Sequence, residues 1–234
     1  MNKVTKFETV NLHGRDVTLR LCFNRRARHI SLRVDEKWGG VDLILPGRNS
    51  RTEGLEFAHE KSLWILRQLD ALPARVPFVD GAVIPILGTD HVVRHRPGAR
   101  GFVWLTDNEI HVAGAEPHVP RRVTDWLKKY AREEIRKRAD LGARSVGRKI
   151  SRLSVRDTRS RWGSCSEDGH LSFSWRLILA PETVLDYVVA HEVAHLAELN
   201  HGGRFWKLVD QLCPGNKVPR YWLKRHGATL HRYG

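Results

Sequence analysis

The stretch VVAHEVAHLAELNHGGRFW, residues 188–206, places three histidines and a glutamate inside a run that otherwise has the apolar spacing of a buried helix. At about 100° per residue, His191 and His195 lie one turn apart on one helix face, so their imidazoles converge on one point. Glu192 projects beside that face, able to reach a water held there without filling a coordination position. This is the HExxH arrangement, a metal grip with a general base alongside. Val184, Leu185, Val188, Val189, Val193 and Leu196 cover much of the helix, while Ala190, Ala194 and Ala197 let neighbours approach closely, so burial on most sides is expected. Ionisable groups are costly in such a place unless paired or coordinated, and a divalent cation supplies the compensation.

A catalytic zinc has three protein ligands and one open position. His201 is the expected third ligand, carried by the turn-forming run Asn200, His201, Gly202, Gly203. Glu198 is its rival, on the same face as His191 and His195 if the helix persists. Histidine is the commoner zinc ligand, so His201 is preferred and Glu198 is assigned to orienting a ligand from behind. One Zn2+ per chain is the expected cofactor; nickel, cobalt and manganese are able to replace it in vitro.

Working outward, Pro181 opens this helix from its first turn. Before it, Ile150 to Val155 reads as a strand, RSRWGSC (159–165) as a loop, and HLSFSW (170–175) as the hairpin partner, with Leu171, Phe173 and Trp175 alternating. A charged helix starts after Pro117 and Pro120, its stripe formed by Val123, Leu127, Tyr130, Ala131 and Ile135. The composition change there sets the expected domains, a β-rich one over 1–116 and a catalytic one over 117–234.

In the first of these, apolar residues alternate over Val17–Phe23, Ile30–Val34 and Val41–Leu45, which predicts an antiparallel sheet. One amphipathic helix follows, opened by a Ser50/Glu53 capping box and ending near Pro73. Short strands are predicted around Val83–Leu87, His91–His95, Phe102–Leu105 and Ile110–Ala113. No internal repeat is visible.

At 234 residues the chain is long enough for a sizeable core. Its 40 Lys+Arg against 26 Asp+Glu give a formal charge of +14, which favours anionic partners without choosing among them. Cys22, Cys165 and Cys213 are odd in number and widely spaced, fitting a reducing compartment, and Cys165 reads as a small packed thiol in preference to a metal ligand or redox switch. With no signal-like start and no run of roughly 18 apolar residues, a cytoplasmic, membrane-free location is expected.

HEVAHLAELNHGGRFWKLV (191–209), preceded by SRWGSCSEDGHLSFSWRLILAPETVLDYVVA (160–190), resembles the YgjP-like family of predicted zinc metallopeptidases, itself similar to SprT-like and WLM metalloproteases. The resemblance runs from RRARHISLRV (25–34) to YWLKRHGATL (221–230). It implies a zincin-like catalytic domain whose HExxH helix packs on a small antiparallel sheet, with His191, His195 and His201 as zinc ligands and Glu192 as the catalytic residue. The metzincin pattern HExxHxxGxxH also has a histidine at the position of His201, but Glu198 stands where that pattern has glycine, and the chain is not assigned there.

The expected reaction is peptide-bond hydrolysis by metal-activated water, with Glu192 taking the proton and returning it to the leaving amine. Arg161 and Tyr221 are the candidates for a second electrophile at the carbonyl oxygen. Phe205, Trp206 and Trp222 are read as core beneath the metal turn. The hairpin around Leu171–Trp175 is expected to provide the strand that pairs with an extended peptide substrate. Arg25, Arg26, Arg28, Arg152, Arg156, Arg159 and Arg161 suit phosphate contacts, and the SprT-like and WLM resemblance extends the reading to DNA-associated proteolysis. Two alternatives stay open: a metal-dependent UTP pyrophosphatase, a reaction associated with some YgjP-like members, and a nonenzymatic nucleic-acid binder with structural zinc.

Overall fold

The computed structural model describes residues 3–35, 38–47, 50–72, 74–158 and 160–234. Pro73, the expected end of the first helix, and Arg159 lie outside the described residues. The fold is α+β, with three small mixed sheets and six α-helices among the described residues. It divides into two compact units, Met1–Ala74 and Arg75–Gly234.

In the first unit, β1 (Lys3–Leu12) pairs antiparallel with β2 (Arg15–Phe23). β3 (Ser31–Asp35) pairs antiparallel with β4 (Gly40–Leu45), and β4 returns parallel to β2, giving the order β1-β2-β4-β3. The expected antiparallel sheet is therefore mixed: side-chain alternation reports which face is buried and carries no information on strand direction. Leu19, Leu21, Val41, Leu43 and Leu45 share the fully buried face, packed with Ala58 of α1 (Arg51–Glu60) and Ile65 of α2 (Ser62–Asp70). The single helix read from the sequence is thus two, meeting at Lys61. Ser50 caps α1 without a side-chain hydrogen bond, so the predicted capping box does not form.

On the opposite face of this sheet, register sets Arg20, Asp42 and Arg33 side by side across three strands. Arg20 donates from Nε and Nη2 to the two Asp42 oxygens at 2.7 and 2.8 Å, and Arg33 Nη2 donates to Oδ2 at 2.8 Å. Trp38 Nε1 donates to Oδ1 at 3.2 Å, and Arg20 also reaches Asp35 at 2.8 Å. Burial pushes the Asp42 carboxyl up, but these donors more than offset it and hold it below the ordinary carboxylate range.

The second unit begins with the same strand order. β5 (Val83–Ile86), β6 (Thr89–Arg96), β7 (Val103–Thr106) and β8 (Glu109–Ala113) are arranged β5-β6-β8-β7, again with an inner parallel pair. α3 (Val119–Ser145) follows, burying Val119, Val123, Leu127, Ala131, Ile135, Ala139 and Ala143 along one stripe. One continuous core joins this stripe to Ile84, Val93 and Ile110 of the sheet and to Val184, Val188 and Val193 further on. The composition change at 116/117 consequently falls inside a compact unit, at the start of a helix that both sides pack against, while the division by compactness lies at Ala74/Arg75.

The third sheet has the order β10-β11-β9, from β9 (Arg152–Arg156), β10 (Gly163–Cys165) and β11 (His170–Ser174). β11 is parallel to β9 and antiparallel to β10. The predicted loop therefore supplies a strand of its own, and the expected β9–β11 hairpin and antiparallel sheet are replaced by a crossover in a mixed one. After a 3-10 turn come α4 (Glu182–Ala194), α5 (Gly203–Leu212) and α6 (Lys217–His226). Among the described residues no helix is long and apolar enough to cross a membrane.

Candidate metal centre

α4 starts at Pro181, whose extended backbone leaves its carbonyl to accept from Val184 and Leu185. Its N-terminal half is tied to α3 by Arg138, which contacts Glu134, Glu182 and Asp186 at 2.5–2.6 Å. Val184, Leu185, Val188, Val189 and Val193 are buried, so the helix is held on most sides as its composition predicts. It ends at Ala194; His195 is the C-cap, and Glu198 N–H bonds back to the Ala194 carbonyl at 2.9 Å.

His201 arrives from the loop before α5, where Gly202 adopts an extended conformation and caps the new helix. The ligand nitrogens of His191, His195 and His201 all lie within 4.8 Å of one another. His191 Nε2 and His201 Nε2 stand 3.1 Å apart. A tetrahedron with zinc–nitrogen bonds of about 2.0–2.1 Å has edges of about 3.3–3.4 Å. The donor set and this spacing fit a divalent ion bound by imidazoles. The Glu198 carbonyl lies 3.1 Å from His195 Nδ1 and can only accept, so Nδ1 carries the proton and Nε2 keeps its lone pair for the ion. Glu198 is outside the histidine cluster, and it positions His195 through its backbone.

Phe205, fully buried on α5, forms the floor: its ring centroid is 4.9, 4.5 and 4.7 Å from those of His191, His195 and His201. Trp206 lies nearly parallel to His201 at 5.9 Å. Burial, reinforced by the two neighbouring imidazoles, lowers the His191 pKa to about 4, and burial lowers that of His195 as well. Both rings are therefore neutral at pH 7 and available to a cation.

Glu192 is buried against β10. A Cβ added to Gly163 would sit 2.5 Å from both Glu192 Cγ and Oε1, so the absence of a side chain at 163 makes the room that Glu192 occupies. Burial raises the Glu192 pKa to about 7, with the Arg161 charge pulling the other way. The exposed Arg161 is thus electrostatically coupled to Glu192. Tyr221 stands exposed on α6, with Arg225 donating to its hydroxyl at 3.2 Å. Trp222 packs at a tilt against His226, with ring centroids 5.1 Å apart. The Cys165 thiol is pushed up to about 11, by burial and by Glu192, which keeps it protonated.

The sequence reading missed Gly163 and the edge position of β10. A glycine inside RWGSC was the available signal, since an isolated strand glycine marks close approach by another group.

Residues 28–226 match the YgjP-like metallopeptidase domain, and the chain belongs to that family. Among solved structures it is similar to the metallopeptidase zymogen abylysin of Pyrococcus abyssi, at 20% identity over 38% of this chain and 93% of that one, with a TM-score of 0.35. No curated protein matches the chain.

Proposed function

We propose that this chain is a zinc-dependent peptidase in which His191, His195 and His201 hold the ion and Glu192 is the general base. The observation carrying this reading is the convergence of three imidazoles within 4.8 Å beside a buried carboxylate on the same helix. When bound, a divalent ion supplies a Lewis acid for the substrate carbonyl and lowers the pKa of a water from about 15.7 towards about 7. Glu192 accepts the proton of the attacking water and returns it to the leaving amine. Gly163 keeps the carboxylate free to turn between those tasks. Arg161, exposed and coupled to Glu192, is the better-placed candidate for the developing oxyanion; Tyr221 has its hydroxyl engaged by Arg225.

An extended peptide substrate pairs with β10. Within the region expected to provide this strand, β11 is central in its sheet and has both edges taken, whereas β10 beside it is an edge strand. Backbone pairing selects an extended conformation before it selects side chains.

The test is purified protein of measured zinc content, offered unfolded protein with and without single-stranded DNA, and separately UTP, beside Glu192→Gln. New peptide fragments, lost in the variant with zinc retained, are expected. Pyrophosphate released from UTP in their place, or zinc retained with no turnover, overturns the reading. A steep fall of DNA affinity with salt would extend it to a DNA-associated peptidase.

A further inference from the structure

Arg220 stands out among the charged groups around the histidine cluster. It lies on α6, exposed, with its guanidinium carbon 4.6 Å above the Trp206 ring. Trp206 in turn lies 5.9 Å from both His201 and His191. Among the described residues the Arg220 guanidinium makes no ion pair and no hydrogen bond, while its backbone N–H donates to the Asn216 carbonyl. The surrounding chain offers it little: residues 198–234 contain seven Lys/Arg and only two acids, Glu198 and Asp210, and Asp210 accepts from Asn216.

A stacked guanidinium is pre-organised: its plane is fixed, its fork of donors stays free, and less side-chain entropy is lost when it binds a planar anion. Three imidazoles and a divalent ion add no negative charge, and among the described residues Glu192 is the one buried acid beside the cluster. The site as built is short of anions on the Trp206 side.

We propose that Arg220 is a specificity-determining residue that binds a carboxylate of the substrate. This rests on the peptidase reading above and names the substrate class it leaves open. An extended peptide rises about 3.3 Å per residue, so the carboxylate lies within roughly three residues of the scissile bond. It comes either from an Asp or Glu side chain or from a free C-terminus.

The experiment uses one cleavable peptide in versions with Glu, Gln or Lys near the bond, each with a free or amidated C-terminus. They are compared on zinc-loaded wild type, Arg220→Gln, Arg220→Lys and Arg220→Glu, with zinc content and circular dichroism as checks on folding. Wild type is expected to prefer one carboxylate about tenfold in kcat/KM, mainly through KM, a size that one charge-assisted contact supports. That ratio falls to about one in Arg220→Gln, is partly kept in Arg220→Lys, and inverts towards the Lys peptide in Arg220→Glu. A side-chain preference identifies Asp/Glu; a loss on amidation identifies the C-terminus. A ratio unchanged in Arg220→Gln, or no carboxylate preference in wild type, overturns the proposal. Anisotropy of the labelled peptides on zinc-loaded Glu192→Gln protein reads the same ratio without turnover. A tenfold binding preference with no peptide cleaved by wild type would defeat the peptidase reading while leaving Arg220 as a carboxylate site.

Discussion

Asp42 in the first unit and Glu192 in the second are both buried carboxylates, 1% and 6% exposed, yet their proton affinities move in opposite directions. The more buried acid is the one held ionised. Burial alone does not decide; partners do. Asp42 receives four hydrogen bonds from Arg20, Arg33 and Trp38, whereas among the described residues Glu192 has no side-chain hydrogen bond and the Arg161 charge alone opposes its burial. A glycine makes room in each case. Space above Gly40 is taken by the Trp38 ring, which covers the ion pairs, and space above Gly163 by Glu192 itself. One arrangement spends its donors on holding a carboxylate ionised; the other leaves a carboxylate whose proton affinity is raised.

The largest effect separating the two is expected from Glu192→Gln. It should lower kcat for peptide hydrolysis by about 10³-fold, with zinc content kept, while metal-free stability moves by no more than about 1 kcal/mol. A large loss of stability would show that Glu192 has structural partners after all. Asp42→Asn should do the reverse: removing one member of a buried pair costs about 3–5 kcal/mol, read by denaturant titration or hydrogen exchange over residues 15–45, with the zinc content unaltered. The matching pH effect follows from sign. A carboxylate whose native pKa is depressed contributes stability that is present above its ordinary value of 3.8 and is lost as pH falls through the native one. Acid unfolding of the first unit should therefore begin below that value and be blunted in Asp42→Asn.

Next in size is removal of the ion. An ion present at a hundredfold excess over its Kd stabilises the folded form by about 2.7 kcal/mol. Chelation should accordingly raise hydrogen exchange over residues 182–209 and leave 15–45 unchanged; equal loss in both would break the contrast. Gly163→Ala is expected to be the mildest in stability, at about 1–2 kcal/mol from local overpacking. By displacing the Glu192 carboxylate it should still lower kcat by about tenfold, measured beside an unchanged zinc content.

The convergence of the histidines was legible because His191 and His195 are tied by helix periodicity and His201 follows in a turn-forming run. The apolar faces of β2, β4 and α3 were legible for the same local reason. Strand direction was not: the β2–β4 and β9–β11 pairs are parallel through crossovers that alternation does not record. β1 went unread because its apolar residues fall on both faces, an exposed Phe7 on one and Val10 and Leu12 on the other, leaving no long apolar beat. The chain also breaks helix α4 at Ala194, so Glu198 never continues the ligand face that its spacing predicted. Arg220 was invisible for a different reason, since only folding brings α6 over the Trp206 ring.

The recurring strand plan has a kinetic consequence. Each of the three sheets is assembled from one uninterrupted stretch of chain, 3–45, 83–113 and 152–174, with none borrowing a strand from elsewhere. Short loops mean a small closure entropy for every pairing, even the parallel ones that usually form slowly. Such sheets can assemble in the order in which their segments leave the ribosome, with the histidine helix docking onto a scaffold that already exists.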